Sequence, residues 1–223
     1  AQNFIGWMYW NQQGVPQDYR IAVSWFKKAA EQQEPNSQCM LGYAYCNGLG
    51  VNKDDARGVE WYRSAAHLGE PAAQFILGLR YQEGNGVSQD DFRAVEWYRK
   101  SAEQGHRQAQ CNLGVMYYLG RGGLWQDYGV AAYWYRIAAS QGEPNAHRNL
   151  EFMYKNGLAE RHENNRPVSD GGNDFRGFSL PADYRRLSPD PSPTIPEVGG
   201  RNSSGSGATR DLGTGSVGTG RDS

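Results

Sequence analysis

This sequence has little net charge, few cysteines and no long apolar stretch. Its 23 Lys and Arg residues nearly balance 24 Asp and Glu residues, so the formal net charge is −1 and no overall attraction to nucleic acid or to an anionic membrane is expected. No stretch approaches the roughly 20 apolar residues that a membrane-spanning helix needs. The first residues lack an initiator methionine and the basic and apolar segments of a signal peptide, so we expect a piece of a longer polypeptide.

The three cysteines do not form the even, regularly spaced set of a disulfide framework. Cys39 and Cys46 lie on one face of a predicted helix, roughly 10 Å apart along its axis, which is too far for a bridge. We therefore expect Cys39, Cys46 and Cys111 to be free thiols that pack as small apolar groups.

Motifs for catalysis, metal binding and phosphate binding are missing as well. No histidine has a partner at metal-ligand spacing, and neither a GxSxG nor a GxxxxGK[ST] motif occurs. The acidic pair Asp54–Asp55 recurs as Asp90–Asp91, and a feature that repeats with the fold is expected to serve the fold. The sequence predicts no enzyme, no cofactor, no metal site, no nucleic-acid partner and no membrane insertion.

The sequence does contain an internal repeat of about 36 residues. Tryptophans recur at intervals of 36, 36 and 37 residues and open the similar phrases WFKKAA, WYRSAA, WYRKSA and WYRIAA. A Gly followed three residues later by a Tyr, a glycine-rich phrase and an Asp recur in the same register. The one extra residue is placed in the loop GGLWQD, where a change of length costs little. The two clearest series are Trp25, Trp61, Trp97 and Trp134, and Asp18, Asp54, Asp90 and Asp127.

Each unit is predicted to form two helices, A and B. The Asp can accept backbone N–H groups at the start of helix B, paired glycines permit the positive φ that ends helix A, and a proline suits the first turn of the next helix A. Helix A is expected at roughly 36–47, 72–83, 108–119 and 145–156, and helix B at roughly 19–31, 55–67, 91–103 and 128–140.

A glycine within every helix A needs a physical reason, because it costs roughly 1 kcal/mol of helix propensity relative to Ala. We expect Gly42, Gly78 and Gly114 to permit the close approach of another helix backbone, with paired alanines such as Ala65–Ala66 as the matching thin surface. The repeat tryptophans are expected to be largely buried. Because one unit cannot bury its apolar face alone, stacked units predict an all-α, right-handed α-solenoid of helix–turn–helix repeats.

These residues resemble the Sel1-like repeat family, a relative of the tetratricopeptide (TPR-like) repeats. Residues 94–118, AVEWYRKSAEQGHRQAQCNLGVMYY, follow the family pattern almost letter for letter, and Gln38, Gln74 and Gln110 occupy its Gln position. The resemblance covers about four repeats. It implies a scaffold or adaptor that binds a protein or peptide partner.

An alternative function is that of a hydrolase or β-lactam-binding protein, by resemblance to a cysteine-rich branch of the family. In that branch paired cysteines tie the end of helix B to the start of the next helix A. The resemblance is disfavoured because none of the matching residues is Cys. The matching pairs are Ala30 and Gln38, Ala66 and Gln74, and Ala102 and Gln110.

The repeat pattern stops near residue 158. The remainder is rich in Gly, Ser and Pro and contains neither Trp nor Lys, so it cannot bury enough apolar area to offset its chain entropy. We predict a solenoid over 1–158 and a disordered tail over 159–223, in which a small aromatic cluster that includes Phe175 and Phe178 is solvated.

Helix A is expected to line the concave face of such an array. The positions between its fixed Gly and Tyr, and the position just past the Tyr, vary between repeats and are expected to point outward. Tyr, Met and Arg at these positions resemble the composition of binding hot spots. The candidate partner-binding residues are Tyr43, Arg80, Gln82, Met116 and Tyr118.

Overall fold

The computed structural model describes residues 1–160, and this part of the chain is helical with no strand. Residues 161–223, which hold nearly all of the predicted disordered tail, lie outside the described residues. The predicted all-α fold is confirmed. The helices of the described part are α1 (Gln2–Trp10), α2 (Tyr19–Ala30), α3 (Pro35–Asn47), α4 (Asp55–His67), α5 (Pro71–Glu83), α6 (Asp91–Glu103), α7 (Arg107–Leu119), α8 (Tyr128–Ser140) and α9 (Pro144–Lys155).

Odd-numbered helices are of type A and even-numbered helices are of type B. The main helix–helix contacts join helices that are adjacent in the chain, so the described residues form an α-solenoid of four A–B pairs followed by α9, a fifth helix A. The predicted ends of α2 to α9 agree with the structure to within one residue, whereas no bounds were predicted for α1. The A helices begin one residue earlier than predicted because their first residue, a proline in α3, α5 and α9, is itself helical.

Local capping residues fix the start of helix B and the end of helix A, as predicted. The Asp90 carboxylate accepts the backbone N–H of Arg93 at 3.0 Å at the start of α6, and Asp18, Asp54 and Asp127 do the same for their own helices. The A helices α3, α5 and α7 end at glycines with φ between 65° and 73°. An L side chain rarely adopts this left-handed conformation, which explains the first glycine of each GxG loop.

The glycine within helix A makes room for an aromatic ring and also lies close to the backbone of helix B, so the expected close backbone approach agrees with the structure. A Cβ atom at Gly78 would lie 3.3 Å from the backbone carbonyl oxygen of Ala94, and one at Gly114 would lie 3.2 Å from that of Ala131. A Cβ atom at Gly78 would lie 2.6 Å from the ring of Tyr98 on helix B of the same repeat, well inside van der Waals contact. The nearest atoms belong to this ring and not to the paired alanines. The equivalent pairs are Gly42 with Tyr62 and Gly114 with Tyr135.

The repeat tryptophans are less uniformly buried than predicted. Trp97 is 9% exposed and Trp134 is also buried, but Trp25 and Trp61 are only partly buried. The residue after each Trp is the one that points at helix A, because consecutive helical side chains are about 100° apart. Those residues are almost completely buried, and they are Phe26, Tyr62, Tyr98 and Tyr135.

The second glycine of each GxG loop joins one repeat to the preceding one. At Gly86 a Cβ atom would lie 2.5 Å from the backbone carbonyl oxygen of Asp55, the first residue of helix α4. Gly50 and Gly122 approach the first residues of α2 and α6 in the same way. This backbone-to-backbone contact holds the loop of each repeat against the start of the preceding helix B.

A buried glutamine near the start of helix A forms a second link to the preceding helix B. The Gln74 side chain donates to the carbonyl of Ala66 at 3.1 Å, and the side chain of Gln110 donates to Ala102 at 3.1 Å. The Gln38 side chain reaches Ala30 at 3.4 Å. The residue pairs that were compared with the paired cysteines of the cysteine-rich branch are therefore joined here by hydrogen bonds.

The cysteines are free thiols, as predicted. Cys46 and Cys111 are buried and Cys39 is half-buried. Burial raises the pKa of Cys39 and of Cys111 to about 12, because the thiolate loses its hydration, so both are protonated at neutral pH. They are part of the packing between helices.

Candidate protein-binding face

The A helices present one row of partly exposed, uncharged side chains at a single repeat position; we call this row, with the row three residues further along each helix, the helix-A face. Each member occupies the same repeat position, one residue after the helix-A glycine. Every member is at least partly exposed and none is charged; Tyr43 is 45% exposed and Phe152 is 47% exposed. The row consists of Trp7, Tyr43, Leu79, Val115 and Phe152.

In α1 and α7, aromatic residues of the second row, three residues further along each helix, contact the next A helix. The ring of Trp10 on α1 lies 6.0 Å from the ring of Tyr43 on α3, between centroids. At the other end, Tyr118 on α7 lies 6.4 Å from Phe152 on α9. The helix-A face therefore has an aromatic pair at each end, and the smaller side chains of Leu79 and Val115 occupy the same repeat position between them.

One polar side chain of helix B forms a hydrogen bond to a residue of the helix-A face. The hydroxyl of Tyr98 donates to the side-chain oxygen of Gln82 at 2.5 Å. Burial raises the pKa of Tyr98 above its ordinary value, so the hydroxyl stays protonated and remains a donor. This bond fixes the orientation of Gln82 in the centre of the face.

The predicted site residues occupy different environments. Tyr43 is exposed, and Tyr118 is partly buried against the rings of Tyr128, at 5.3 Å, and Phe152. Gln82 is partly exposed at the centre of the face, and Arg80 is partly buried, beside Cys46 and close to α4. The helix-A face thus brings Tyr43, Gln82 and Tyr118 onto one surface.

The expectation that Met116 points outward is wrong, because its side chain is 0% exposed. Met116 follows Val115 by one residue and is therefore turned by about 100° around the helix. Its equivalents Ala44 and Met153 are buried as well, so this position faces the preceding helix B.

Two aromatic residues of the row, Trp7 and Phe152, were not among the predicted site residues. The sequence does contain the signal, because Trp7 precedes Tyr43 by 36 residues and Phe152 follows Val115 by 37. The one-residue insertion before α8 shifts the register of α9 and hides the second relation. The spacing alone does not show which of two neighbouring helix positions is exposed. Only the burial of the side chains in the structure distinguishes this row from the buried position next to it.

Charged side chains are scarce in the A helices from α1 to α7. Helices α1 and α3 contain none, α5 contains Arg80 and Glu83, and α7 contains only Arg107, its first residue. Helix α9 differs, because it contains Arg148, Glu151 and Lys155. Among the B helices, α6 has charged residues at Asp91, Arg93, Glu96, Arg99, Lys100 and Glu103. The helix-A face is thus almost uncharged from α1 to α7, and charged side chains appear at its α9 end.

Within residues 1–160, no three His, Cys, Asp or Glu side chains are grouped in a way that could hold a metal ion. A shallow depression near the start of α4 is lined by Lys53, Asp54 and Arg57. Asp54 caps α4 there and pairs with Arg57 at 3.4 Å, so these charges already serve the fold. No helix of the described residues is long and apolar enough to cross a membrane.

Comparison with known proteins gives a consistent family match. The family model of the Sel1 repeat matches residues 1–34, 35–70, 71–106 and 107–143. No curated protein matches the chain. These four segments coincide with the four A–B helix pairs described above.

Two solved structures show the same architecture. One is a protective antigen present in uropathogenic Escherichia coli strains and displaying an SLR fold; it is 42% identical, covers 70% of this chain and has a TM-score of 0.67. The match takes in 33% of that antigen, so the chain spans about a third of its length. The other is a Sel1 repeat protein from Oxalobacter formigenes, 32% identical over 75% of this chain and 68% of its own, with a TM-score of 0.68.

Proposed function

Because the chain belongs to the Sel1 repeat family, we propose that it is a protein-binding scaffold whose partner lies across the helix-A face. The observation that carries the proposal is the row of partly exposed, uncharged side chains that recurs on every A helix. Interface centres are depleted in charged residues and enriched in aromatic ones, and this row has that composition. By resemblance to the family, we expect this side to be the concave side of the array.

The aromatic pairs at the two ends are suited to anchor a partner. Trp10 and Tyr43, like Tyr118 and Phe152, hold each other in place by ring contacts, so little side-chain freedom is lost on binding. Gln82 is held by Tyr98 between them and offers its side-chain amide to a polar group of the partner. A bound peptide or helix would cross several repeats, as extended repeat surfaces permit.

The proposal is tested in two stages. The first stage captures the partner with the purified protein from the source organism and identifies it by mass spectrometry. The second compares a helix-A-face variant, Tyr43→Ala with Leu79→Ala and Phe152→Ala, against a matched helix-B variant. The matched variant replaces Ser24, Glu60 and Glu96 with Ala, three exposed residues that share one repeat position on α2, α4 and α6.

We expect the helix-A-face variant to bind at least tenfold more weakly, which corresponds to about 1.4 kcal/mol, with an unchanged helical circular dichroism signal. The helix-B variant is expected to bind normally. The opposite pattern would place the partner on the B helices and reject the helix-A face. Turnover of a chromogenic ester or β-lactam that depends on one Ser or His of the chain would reject the scaffold function itself.

A further inference from the structure

Two arginines from neighbouring B helices converge on the hydroxyl of one tyrosine. Arg63 on α4 donates from Nη2 to the hydroxyl oxygen of Tyr81 at 3.4 Å, and Arg93 on α6 donates to it from Nη1 at 3.3 Å. The Arg93 guanidinium also lies over the Tyr81 ring, 5.4 Å from its centroid. Tyr81 is 5% exposed, whereas Arg63 is partly exposed and Arg93 is exposed. We call these three residues the arginine–tyrosine cluster; solvent can reach its two cations.

The stacking of repeats accounts for Arg63 but not for Arg93. A basic residue stands at the position of Arg63 in every repeat, and its equivalents are Lys27, Arg99 and Arg136. The position of Arg93 is apolar in α2 and α8, where Ile21 and Val130 occupy it, so the fold does not need a cation there. Arg93 also lies in the first turn of α6, where the helix dipole disfavours a positive charge. Packing within the array therefore gives no reason for this second arginine.

The arginine–tyrosine cluster has more positive than negative charge. Arg93 pairs with Asp90, whose carboxylate oxygen lies 3.3 Å from its Nε. Among residues 1–160, no carboxylate lies within ion-pair distance of Arg63, and its Nε and Nη1 atoms have no hydrogen-bond partner. Two like charges at this separation repel each other unless a counter-charge lies between them. One further anion between the guanidinium groups would therefore neutralise the cluster.

The arginine–tyrosine cluster also has more hydrogen-bond donors than acceptors. A phenol hydroxyl is both an acceptor and a donor. The Tyr81 oxygen accepts from Arg63 and from Arg93, but its own hydrogen has no acceptor within the described part of the chain. Both arginine bonds are longer than the roughly 2.9 Å that is typical of N–H···O bonds, so neither guanidinium group is fully engaged. Three donor groups thus lie together, and an oxyanion is the acceptor that they lack.

The pKa of Tyr81 is further evidence that this environment favours negative charge. Burial tends to raise the pKa of the phenol, but the hydrogen bonds from Arg63 and Arg93 and their positive charges outweigh it. The pKa of Tyr81 consequently lies below its ordinary value of 10. The pKa of Tyr98, which has no such pair of cations, is raised by burial. A carboxylate beside the Tyr81 hydroxyl would be stabilised by the same two charges.

We propose that the arginine–tyrosine cluster is a binding site for a single carboxylate group of an acidic peptide segment. One carboxylate oxygen accepts from Arg63, the other accepts from Arg93, and the Tyr81 hydroxyl donates to the same group. The single negative charge matches the excess of the cluster, and charge-assisted bonds of this kind are strong. The Asp or Glu that supplies it belongs to another protein or to this chain beyond residue 160, which also contains such residues. Both arginines belong to B helices, so this site is separate from the helix-A face.

The test observes the arginine side chains of the full chain by NMR. The probes are the peptides acetyl-Gly-Glu-Gly-amide and acetyl-Gly-Gln-Gly-amide, which differ only in the carboxylate and are titrated at constant ionic strength. We expect the Nε–Hε signals of Arg63 and Arg93 to shift with the Glu peptide, to saturate below about 100 mM and not to respond to the Gln peptide. Arg57 is the internal control, because it stands at the position of Arg93 and pairs with Asp54 at 3.4 Å, but no hydrogen bond joins it to a tyrosine. Its signal is expected to stay in place.

Two variants separate the site from the fold. Arg93→Gln removes the charge at a position that is apolar in other repeats, and we expect the Glu peptide to bind at least tenfold more weakly with an unchanged circular dichroism signal. Tyr81→Phe keeps the buried ring and removes the hydroxyl, and at least threefold weaker binding is expected. Arg57→Gln is the matched control and should bind the Glu peptide as the wild-type protein does.

A full-length variant in which every Asp and Glu beyond residue 160 is replaced by Asn or Gln distinguishes the two sources of the carboxylate. Tighter binding of the Glu peptide to this variant would show that the chain's own carboxylates compete for the site, whereas unchanged binding would assign the carboxylate to another protein. Equal shifts from the Gln peptide, an equal response of Arg57, or no saturation up to about 100 mM would overturn the inference. None of these results would bear on the helix-A face, so the proposed function is tested separately.

Discussion

At the scale of single residues, a missing glutamine marks a weak point in the second repeat. The glutamine just after helix B donates its side-chain N–H to the buried glutamine of helix A in the same repeat. Gln104 donates to Gln74 and Gln141 donates to Gln110, each at 2.7 Å. Leu68 stands at this position in the second repeat. The side-chain oxygen of Gln38 is consequently buried without a hydrogen-bond partner among the described residues.

We expect Leu68→Gln to stabilise the protein by about 1 kcal/mol, because it supplies the donor that the buried Gln38 oxygen lacks. Urea unfolding followed by circular dichroism measures the change. Leu68→Glu is the matched control, because it has the same length but no donor at neutral pH, and it is expected to give no gain. An equal gain from both variants would show that the loss of an exposed Leu, and not the hydrogen bond, is responsible.

His106 makes the third repeat sensitive to pH. It caps α7 by accepting the N–H of Ala109 at 3.4 Å and stacks on Phe75 at 4.8 Å. Burial, with a smaller contribution from Arg107, lowers the pKa of His106 below its ordinary 6.5, and Glu143 partly opposes this. The unfolded chain therefore takes up the proton first as the pH falls, and stability is lost below pH 6.5.

We expect His106→Glu to reduce this loss, because the equivalent capping residues in the other repeats are Glu34, Glu70 and Glu143. Urea midpoints above and below pH 6.5 measure the difference between the variant and the wild-type protein. His147→Gln, at an exposed position, serves as the control and is expected to keep the wild-type pH dependence. If the control flattened the pH profile as much as His106→Glu, the cap would not be the cause.

Capping residues were predictable from the sequence because they act on their own helix. Asp90 and Gly84 each define a helix end through contacts within a few residues, so spacing and residue type suffice. Met116 was not predictable, because the side of helix A that is covered depends on how the next repeat is stacked. The same holds for Trp7 and Phe152, whose exposure is a property of the array.

At the scale of elements, the loop between helices A and B is fixed by contact with the preceding repeat. The contact occurs at the second glycine of each GxG phrase, where φ is positive and a carbonyl of the preceding helix B lies directly against the backbone. Sequence analysis recognised the glycine pair as a helix end but not as a joint between repeats, because that contact lies about 30 residues away along the chain.

We expect Gly86→Ala to cost about 3 kcal/mol, from roughly 1–2 kcal/mol of backbone strain and a clash worth roughly 1–3 kcal/mol. Gly105→Ala is the matched control: its φ is also positive, at 88°, but its Cβ would meet no atom within 4 Å. It should therefore show the strain alone. Equal urea midpoints for the two variants would mean that the contact between residue 86 and the Asp55 carbonyl can adjust with no loss of stability.

The reason for the helix-A glycine shows where sequence analysis of an element stops. The recurrence of Gly78 and its equivalents correctly indicated that something lies close to helix A. Which ring fills that space beside the backbone of helix B depends on which of two adjacent aromatic residues, Trp97 or Tyr98, points inward. Both are compatible with the 36-residue spacing, and packing decides in favour of Tyr98.

At the scale of the whole molecule, the division between the solenoid (1–158) and the tail (159–223) remains a prediction from composition. Leu158 and Ala159 pack against the core, and the Glu160 carbonyl accepts from Arg136 at 3.0 Å, so the described contacts continue slightly past the predicted boundary.

We expect truncation after Glu163 to leave the helical circular dichroism signal and the melting midpoint essentially unchanged, because the removed residues cannot bury a sizeable apolar area. Truncation after Ala146, within α9, is the comparison that should lower the midpoint by exposing α8. A clear loss of stability on removing residues 164–223 would show that the aromatic cluster around Phe175 and Phe178 covers part of the array.

Packing between chain neighbours also sets how the array gains and loses its structure. Because every major helix–helix interface joins elements that follow one another directly, the sequence separation of contacting residues is small compared with the length of the chain. Low contact order of this kind gives fast folding, since little loop entropy is lost before the first contacts form. Local unfolding can begin at a terminal helix of the described array and progress one helix at a time, while the central repeats stay folded.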